Sequence, residues 1–558
     1  MEYRSKSNLQ GIDKGFARCL FKSMGYSDDD LLNRPIIGIA NSWNTLVPGH
    51  FNLNQISEFV KKGIYRGGGT AVEFGVIGAC DGIANGHEGM KYILPSREII
   101  CNSIEIEAQA HKLDALVMIG SCDKIIPGML MAAARLNIPS IIVNGGPMIG
   151  GAVFDGRKSD ATSVDEALGM VKSGLLDEES LRLLEDTNCP SCGSCAFLGT
   201  ANTVGCLSEA LGMSLTGSAL IPATYAERLR ISLESGLKIC ELVKKDIKPR
   251  DILTKEAVRN GIKTIMAICG STNAVLHLSA IAYEAELDIN VLEEFRRLNK
   301  TTPQIAKVNP SAKWDMEDFY HAGGIPRVME SLEDILDRSV ITCTGKTLGE
   351  NLSQYKYLYP QNDEIIKTVR EPFEKTGGIA VLYGNIAPDS AITKPGAFDK
   401  SLYHFKGKAK VFNSEEEAND AILSGMIEHG DVVVIRYEGP KGGPGMREMY
   451  KAMKFLYGMG LNKTTALITD GRFSGTNNGC FVGHISPEAE EGGPIAAIQD
   501  GDIIDINIEE GSINLMVSDE EIKNRIENIV KPDKNIPRGY LQVYSKLASS
   551  ADKGAVIL

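Results

Sequence analysis

The sequence predicts an α/β protein with a large N-terminal domain and a smaller β-rich C-terminal domain. Short apolar runs alternate with helix-periodic segments near the start of the chain, a pattern typical of a mostly parallel sheet covered by helices. Short β-type runs separated by Gly, Pro and Asp turns dominate the last third. The chain has 558 residues, too many for one ordinary core, so two or more domains are expected.

The N-terminal alternation assigns its elements in order. Strands are predicted at 35–40, 70–78, 113–119 and 140–143, and helices at 54–65, 98–111 and 129–136. From 177 to 329 the pattern is mainly helical and includes helices at 225–244 and 279–298.

A change in amino-acid composition between residues 348 and 376 predicts a domain boundary. This stretch is polar, rich in Tyr and Lys, and contains Pro360 and Pro372. We therefore expect one domain at 1–360 and a second at 375–558. Strands of the second are predicted at 379–382, 410–412, 431–435, 465–468 and 502–508.

Charge and hydropathy exclude several classes of protein. The formal net charge of −13 disfavours binding to the phosphate backbone of nucleic acids. Residues 1–14 are polar and do not resemble a secretory signal, and no apolar run is long enough to span a bilayer. We expect a cytoplasmic protein without a membrane partner, whose twelve cysteines are reduced, buried or metal-bound.

Two cysteine-bearing loops are the most informative motifs. Cys122 follows the predicted strand at 113–119, at the strand end where open α/β sheets place their ligand sites. Cys189, Cys192 and Cys195 form a Cys-x2-Cys-x2-Cys run, as in iron–sulfur loops. A zinc knuckle or a redox dithiol are the alternatives, although zinc would need a fourth local ligand. Cys122 on an active-site loop favours an iron–sulfur cluster.

Carboxylates accompany these thiols. Asp81 and Asp123 each follow a cysteine after a predicted strand, and two such carboxylates in one crevice suit Mg²⁺. The alternative is that each caps the following helix. Lys124 is either an ion-pair partner or, if its amine is neutral, a lysine carboxylated by CO2 into an anionic oxygen ligand.

Two glycine-rich loops of the second domain carry the remaining candidates. Glu448 ends the segment 438–448 and is either a metal ligand or a favourable acid in the first turn of the next helix. Ser474 lies in a Gly-flanked turn after the strand at 465–468 and is either a base or nucleophile or a plain turn serine. Neither loop matches the Walker or the Gly-x-Ser-x-Gly pattern.

Together the motifs resemble the dihydroxy-acid dehydratase family, which also holds aldonic-acid and phosphogluconate dehydratases. The resemblance runs from Gly11 to about Ser550 and is carried by LPSREI, SCDKIIPGMLMAAAR, CPSCGSC, GSTNAVLHL, GKTLGENL, VIRYEGPKGGPGM and LITDGRFSG. It implies a C-terminal swivelling β-barrel-like domain and assembly into a homodimer or homotetramer.

The resemblance also implies a reaction and roles. It implies dehydration of 2,3-dihydroxy-3-methylbutanoate and its ethyl homologue to 2-keto acids in valine and isoleucine biosynthesis, or of an aldonic acid as the alternative. The implied cluster ligands are Cys122 and Cys195, and the implied general base is Ser474. The implied Mg²⁺ ligands are Asp81, Asp123, carboxylated Lys124 and Glu448. An iron–sulfur electron carrier is disfavoured, because its cluster normally has four protein ligands.

Two departures from the family pattern leave questions open. Many members carry a cysteine where this chain has Gly49, so the cluster type, [2Fe-2S] or [4Fe-4S], and its third ligand are undetermined. The candidates for that ligand are Cys80, Cys189, Cys192 and His50. The segment 196–202 also differs from branched-chain members and is expected to line the pocket, which keeps a sugar-acid substrate open.

Overall fold

The computed structural model describes residues 3–172, 174–473, 475 and 479–558. The predicted N-terminal parallel sheet is confirmed. Its strands are β1 (Ile36–Asn41), β2 (Thr70–Gly75), β3 (Ala115–Gly120) and β4 (Ser140–Asn144). They are ordered β2-β1-β3-β4 and every pair is parallel, so their carboxyl ends share one edge. A short hairpin of β5 (Val153–Phe154) and β6 (Arg157–Lys158) follows.

Helices cover both faces of this sheet. Those interleaved with its strands are α1 (Lys6–Leu9), α2 (Gly15–Ser23), α3 (Leu53–Gly67), α4 (Asp81–Ala84), α5 (Ile93–Ala110) and α6 (Ile125–Leu136). Helix α5 begins earlier than predicted, so the LPSREI motif is helical. Every residue of β3 and β4 is buried, which accounts for their continuous apolar runs.

The predicted helical region is confirmed, with one correction. Helix α7 (Ser163–Lys172) precedes this region, and the region itself contains α8 (Glu178–Thr187), α9 (Thr200–Ala210), α10 (Ala226–Lys245), α11 (Pro249–Ile252), α12 (Lys255–Ala267), α13 (Asn273–Glu284), α14 (Val291–Asn299), α15 (Met316–His321) and α16 (Gly324–Ser331). Helix α17 (Leu348–Gln354) follows it. The continuous helix predicted at 279–298 is wrong. The chain breaks after α13, Glu286 has a positive φ of 56°, and the Asn290 side chain caps α14 by accepting from the Glu293 amide.

Helices α3 and α10 pack unusually closely. A Cβ atom on Gly63 would lie 2.1 Å from the Leu233 carbonyl oxygen, and one on Gly236 would lie 2.2 Å from the Val60 carbonyl oxygen. Glycine at both positions therefore lets the two backbones touch, which fixes α10 against the helix that covers β1.

The C-terminal region forms a sheet of eight described strands. They are β7 (Ala380–Leu382), β8 (Ser390–Thr393), β9 (His404–Phe412), β10 (Asp431–Ile435), β11 (Ala466–Thr469), β12 (Cys480–Ser486), β13 (Ile503–Asn507) and β14 (Ser512–Leu515), ordered β14-β13-β9-β10-β11-β12-β8-β7. A bridge between Tyr383 and Ser512 joins the two edge strands, so the sheet nearly closes into a barrel. The predicted β-rich, barrel-like character is confirmed.

Helices accompany this second sheet: α18 (Glu415–Leu423), α19 (Tyr450–Gly458), α20 (Asp519–Glu527) and α21 (Tyr540–Leu547). The C-terminal tail then returns to the N-terminal half. Arg97 in α5 donates from Nη2 to the carbonyl oxygens of Gly554 and Ala555, at 2.8 and 3.0 Å. In the described part of the chain, no helix is both long and apolar enough to cross a membrane.

Candidate active site

The candidate residues of the N-terminal half gather at the carboxyl edge of its sheet. Cys80 and Asp81 follow β2, and Cys122 to Lys124 follow β3. A parallel bridge between Pro147 and Ser194 holds the CPSCGSC loop beside the segment that leaves β4. Cys122 has a φ of 67°, a left-handed conformation that is uncommon for a side-chain-bearing residue and that clusters at functional sites.

Three carboxylates converge at this edge. Asp81, Asp123 and Glu448 each offer one oxygen, and the three oxygens lie within 4.8 Å of one another. Neither predicted helix cap forms, since α4 and α6 start without a side-chain cap hydrogen bond. The three carboxylates thus form the oxygen cluster that the sequence suggested for Mg²⁺.

Lys124 lies among these carboxylates and is fully buried. Its Nζ is 3.4 Å from Asp123 Oδ2, 3.4 Å from Glu448 Oε1 and 3.9 Å from Asp81 Oδ2. The amine thus occupies the position in which a cation balances the three acids. Of the two roles predicted for Lys124, the metal-free protein therefore shows that of an ion-pair partner.

Glu448 reaches this group from the C-terminal region. It precedes α19 and pairs in a bridge with Arg472, so the alternative of a first-turn acid is wrong. Its Oε1 accepts hydrogen bonds from Arg472 Nη1 at 2.5 Å and from Asn273 Nδ2 at 2.8 Å. Two polar side chains from different elements thus hold one carboxylate oxygen in place.

The carboxylates do not titrate alike. Burial, and then the charge of Asp123, raises the pKa of Asp81 well above its usual range. Burial would also raise the pKa of Asp123, but the Lys124 ammonium and hydrogen bonds with Asp81 and Thr200 together outweigh it, and the pKa falls. The raised pKa of Asp81 favours its protonated form in the metal-free protein, so a cation that binds this carboxylate has to displace a proton.

Thiols form a second group beside the carboxylates. The Cys80 and Cys122 sulfurs and an Asp81 oxygen lie within 4.8 Å of one another. The Cys122 thiol donates to Asp81 Oδ1 at 3.8 Å, and its interaction with Cys80 lowers the pKa of Cys80 to about 7. Burial, followed by the charges of Asp123 and Asp81, raises the pKa of Cys195. The thiols and carboxylates are thus electrostatically linked.

The three thiols and two of the carboxylates open onto one cavity of about 320 Å³. Its apolar wall includes Val47, Ile83, Met148, Ala161, Phe197 and Ala201. The segment 196–202 therefore lines the pocket, as expected. Gly49 also lies on the wall, where a Cβ would be 3.1 Å from Ser121 Oγ and 3.3 Å from the Ser194 amide.

Sequence reasoning missed two residues that hold Glu448. Asn273 donates to Thr200 Oγ1 at 2.9 Å as well as to Glu448, and Arg472 is fully buried. Both lie in motifs that the sequence displayed, GSTNAVLHL and LITDGRFSG. A polar residue at the start of an otherwise apolar helix was the available signal for Asn273. The predicted base Ser474 lies outside the described residues.

The fold and the site define a two-domain α/β enzyme whose polar centre lies where the N-terminal sheet meets the C-terminal barrel. Residues 34–351 match the family model for the dihydroxy-acid/6-phosphogluconate dehydratase N-terminal domain, and residues 364–555 match that for the C-terminal domain. The chain belongs to this dehydratase family and is a hydro-lyase.

Similar proteins cover the whole chain. A dihydroxy-acid dehydratase of Pyrococcus furiosus is 52% identical over 556 residues, 99% of this chain and 100% of its own. Dihydroxy-acid dehydratases of Caldanaerobacter subterraneus, over 99% of both chains, and of Ruminiclostridium cellulolyticum, over 99% of this chain and 100% of its own, are each 51% identical.

Proposed function

We propose that the protein dehydrates 2,3-dihydroxy-3-methylbutanoate and its ethyl homologue to the 2-keto acids used for valine and isoleucine, with an iron–sulfur cluster and Mg²⁺. The observation that carries this proposal is one cavity lined by four cysteines, Cys122 and Cys195 among them, and by Asp81 and Asp123 of the carboxylate cluster. The names of the full-length relatives support the same reaction. Assembly into a homodimer or homotetramer in the cytoplasm is part of the proposal.

The residues fit a Mg²⁺ ion. The three carboxylate oxygens lie within 4.8 Å of one another, and ligands of an octahedron with bonds of about 2.0–2.1 Å are about 3 Å apart when adjacent and about 4 Å when opposite, so small movements would bring the oxygens onto one ion. Carboxylation changes Lys124 from a cation to an anion, and the divalent ion restores the two lost positive charges. The net charge of this fully buried site is then the same with and without the metal. Lys124, Asp81, Asp123 and Glu448 would hold the ion.

The residues also fit an iron–sulfur cluster. Cys122 and Cys195 lie on one cavity, and thiolates are the protein ligands that such clusters use. When bound, the cluster supplies a Lewis acid for the departing 3-hydroxyl, and Mg²⁺ stabilises negative charge at the carboxylate and the C2 oxygen.

Side chains of the protein supply proton transfer, positioning of the metal ligands and exclusion of water. Ser474, as its alkoxide, removes the C2 proton, the 3-hydroxyl departs from C3 with that proton as water, and the resulting enol tautomerises to the 2-keto acid. Arg472 and Asn273 fix the Glu448 carboxylate, so the oxygen cluster is preorganised before substrate arrives. The buried Phe197 on the cavity wall keeps bulk water from that side of the pocket.

The cavity wall favours a branched, largely apolar substrate. Lys451 is the cationic side chain on the described wall, and it is paired with Asp165 at 2.7 Å. A phosphorylated sugar acid would therefore find no unpaired cation there. Asn85 Oδ1 is buried without a hydrogen-bond partner on the same wall. This acceptor suits an additional hydroxyl and makes an aldonic acid the second candidate substrate.

The test is keto-acid formation by anaerobically purified, cluster-loaded protein with Mg²⁺. We expect the branched substrate to be turned over faster than any of a panel of aldonic acids. Ser474→Ala should abolish turnover, while Ser424→Ala, at an exposed turn where serine also precedes glycine in the sequence, should retain it. Preference for an aldonic acid would establish the second candidate, and no turnover of either class would refute the assignment.

A further inference from the structure

We infer that Cys80 is the third protein ligand of the iron–sulfur cluster, beside Cys122 and Cys195, and takes the place of the thiol that Gly49 does not supply. The inference rests on the proposed function, because it presumes that a cluster binds. It identifies a ligand in this chain that the family pattern leaves unassigned.

The separation of the sulfurs supports a shared metal. The Cys80 and Cys122 sulfurs lie within 4.8 Å of each other. Two thiolates bound at about 2.3 Å to one tetrahedral metal lie about 3.8 Å apart, so little movement would bring both onto one iron. Cys80 stands directly before α4, and its thiol interacts with the Cys122 thiol.

Position 49 explains why another ligand is needed. A Cβ there would point between Ser121 and Ser194, the residues that precede Cys122 and Cys195. A cysteine at position 49 would thus place its side chain near those two thiols, whereas glycine has no side chain that could bind iron. Cys80 lines the same cavity.

The other candidates are less well placed. Cys192 lines a different cavity, next to Trp43 and Phe51, and Cys189 lines the same cavity as Cys122 but is an exposed residue. Both ring nitrogens of His50 are engaged, Nε2 with the Ser121 carbonyl oxygen at 3.0 Å and Nδ1 with Asn44 Nδ2 at 3.3 Å. The approach of the Cys80 sulfur to within 4.8 Å of the Cys122 sulfur therefore favours Cys80.

This ligand set also organises the two inorganic centres. Cys80-Asp81 and Cys122-Asp123 are two Cys-Asp dipeptides, and each would give its sulfur to the cluster and its carboxylate to Mg²⁺. Three thiolates, one fewer than the four of an ordinary electron-transfer cluster, leave an iron coordination position for substrate. Because the cysteine and the aspartate of each dipeptide are adjacent, the backbone between them would fix the distance between the cluster and the Mg²⁺ ion.

The test compares anaerobically reconstituted Cys80→Ser with Cys192→Ser, a matched change in a half-buried cysteine of the neighbouring loop. Iron and sulfide per chain, the visible absorption spectrum and the rate of iron loss to a chelator are measured. Loss of an outer-shell partner alone costs about 10- to 100-fold in metal affinity, so Cys80→Ser should lose iron at least about tenfold faster than wild type. Its spectrum should also change, while Cys192→Ser should match wild type.

A second measurement needs no variant. In the wild type, alkylation of Cys80 should be blocked in the loaded protein and should appear once a chelator removes the iron, whereas Cys192 should react in both states. Unchanged iron retention and spectrum in Cys80→Ser, or equal labelling of Cys80 with and without iron, would overturn the inference. Wild-type protein that binds no iron and sulfide would instead refute the cluster of the proposed function.

Discussion

Replacing Glu448 by Gln should destabilise the metal-free protein, because two buried cations lose the carboxylate that they share. Glu448 Oε1 is 3.4 Å from Lys124 Nζ and 2.5 Å from Arg472 Nη1, and all three side chains are at most 1% exposed. At an effective dielectric of about 20, a charge pair at the longer distance is worth about 5 kcal/mol. The variant keeps an acceptor oxygen, so its hydrogen bonds from Arg472 and Asn273 remain.

The expected net loss is about 3–5 kcal/mol, the usual cost of leaving a buried charge without its partner. An unfolding entropy of about 2 cal/mol/K per residue converts this loss into a melting shift of about 2–4 °C if the 558 residues unfold together. The shift is larger if the C-terminal domain melts alone. Added Mg²⁺ should raise the melting temperature of wild type more than that of the variant, because the variant binds the ion more weakly.

The assay is calorimetry of chelator-treated protein, with Glu416→Gln as the control. Glu416 also pairs with a buried arginine, Arg447, but it is 52% exposed and Arg447 keeps Glu415, so we expect a loss within about 1 kcal/mol. Equal melting temperatures for Glu448→Gln and Glu416→Gln, with equal responses to Mg²⁺, would refute the argument that Glu448 closes the buried charge cluster.

Three further predictions test separate parts of the structure. Asn273→Asp replaces a donor to Glu448 Oε1 by a like charge, and turnover should fall about 10- to 100-fold with a changed Mg²⁺ dependence in a keto-acid assay. Burial raises the pKa of Glu209 to about 7, so the contribution of this group to the free energy of unfolding declines by about 3 kcal/mol as the pH rises from about 4.5 to 7. Melting temperatures of Glu209→Gln measured against pH should lack this decline. Arg97→Lys removes the guanidinium fork that binds the carbonyls of Gly554 and Ala555, and hydrogen exchange of the C-terminal tail should become faster while the barrel stays protected.

Local sequence predicted the parts of the site that follow a buried strand. The run before Cys122 is apolar because β3 is covered on both faces, and a chain leaving such a strand must place its next residues at the sheet edge. Asp81, Asp123 and Lys124 were identified in this way. The short strands β8, β12 and β14 were missed, because four to seven residues with interspersed Gly or Ser carry little periodicity.

Contacts between distant parts of the chain were beyond local reasoning. Glu448 is 324 residues from Lys124, and its other partners lie 24 and 175 residues away. Nothing in the periodicity around Asn273 says that it faces a carboxylate of the other domain. The same limitation applies to Cys80, whose nearness to Cys122 follows from the parallel order β2-β1-β3 and could not be ranked before that order was known.

The position of Glu448 links metal binding to the packing of the two halves. Lys124 stands at the edge of the N-terminal sheet, whereas Glu448 and Arg472 come from segments that follow strands of the barrel. Neither half alone contains the three-carboxylate cluster. A divalent cation that binds the complete cluster more tightly than either separate half would therefore favour the docked arrangement, by an amount equal to that difference in binding free energy. The Arg97 fork to the C-terminal tail holds the same two halves together without a metal. The tail thus contributes to the docking of the two halves independently of the proposed cation.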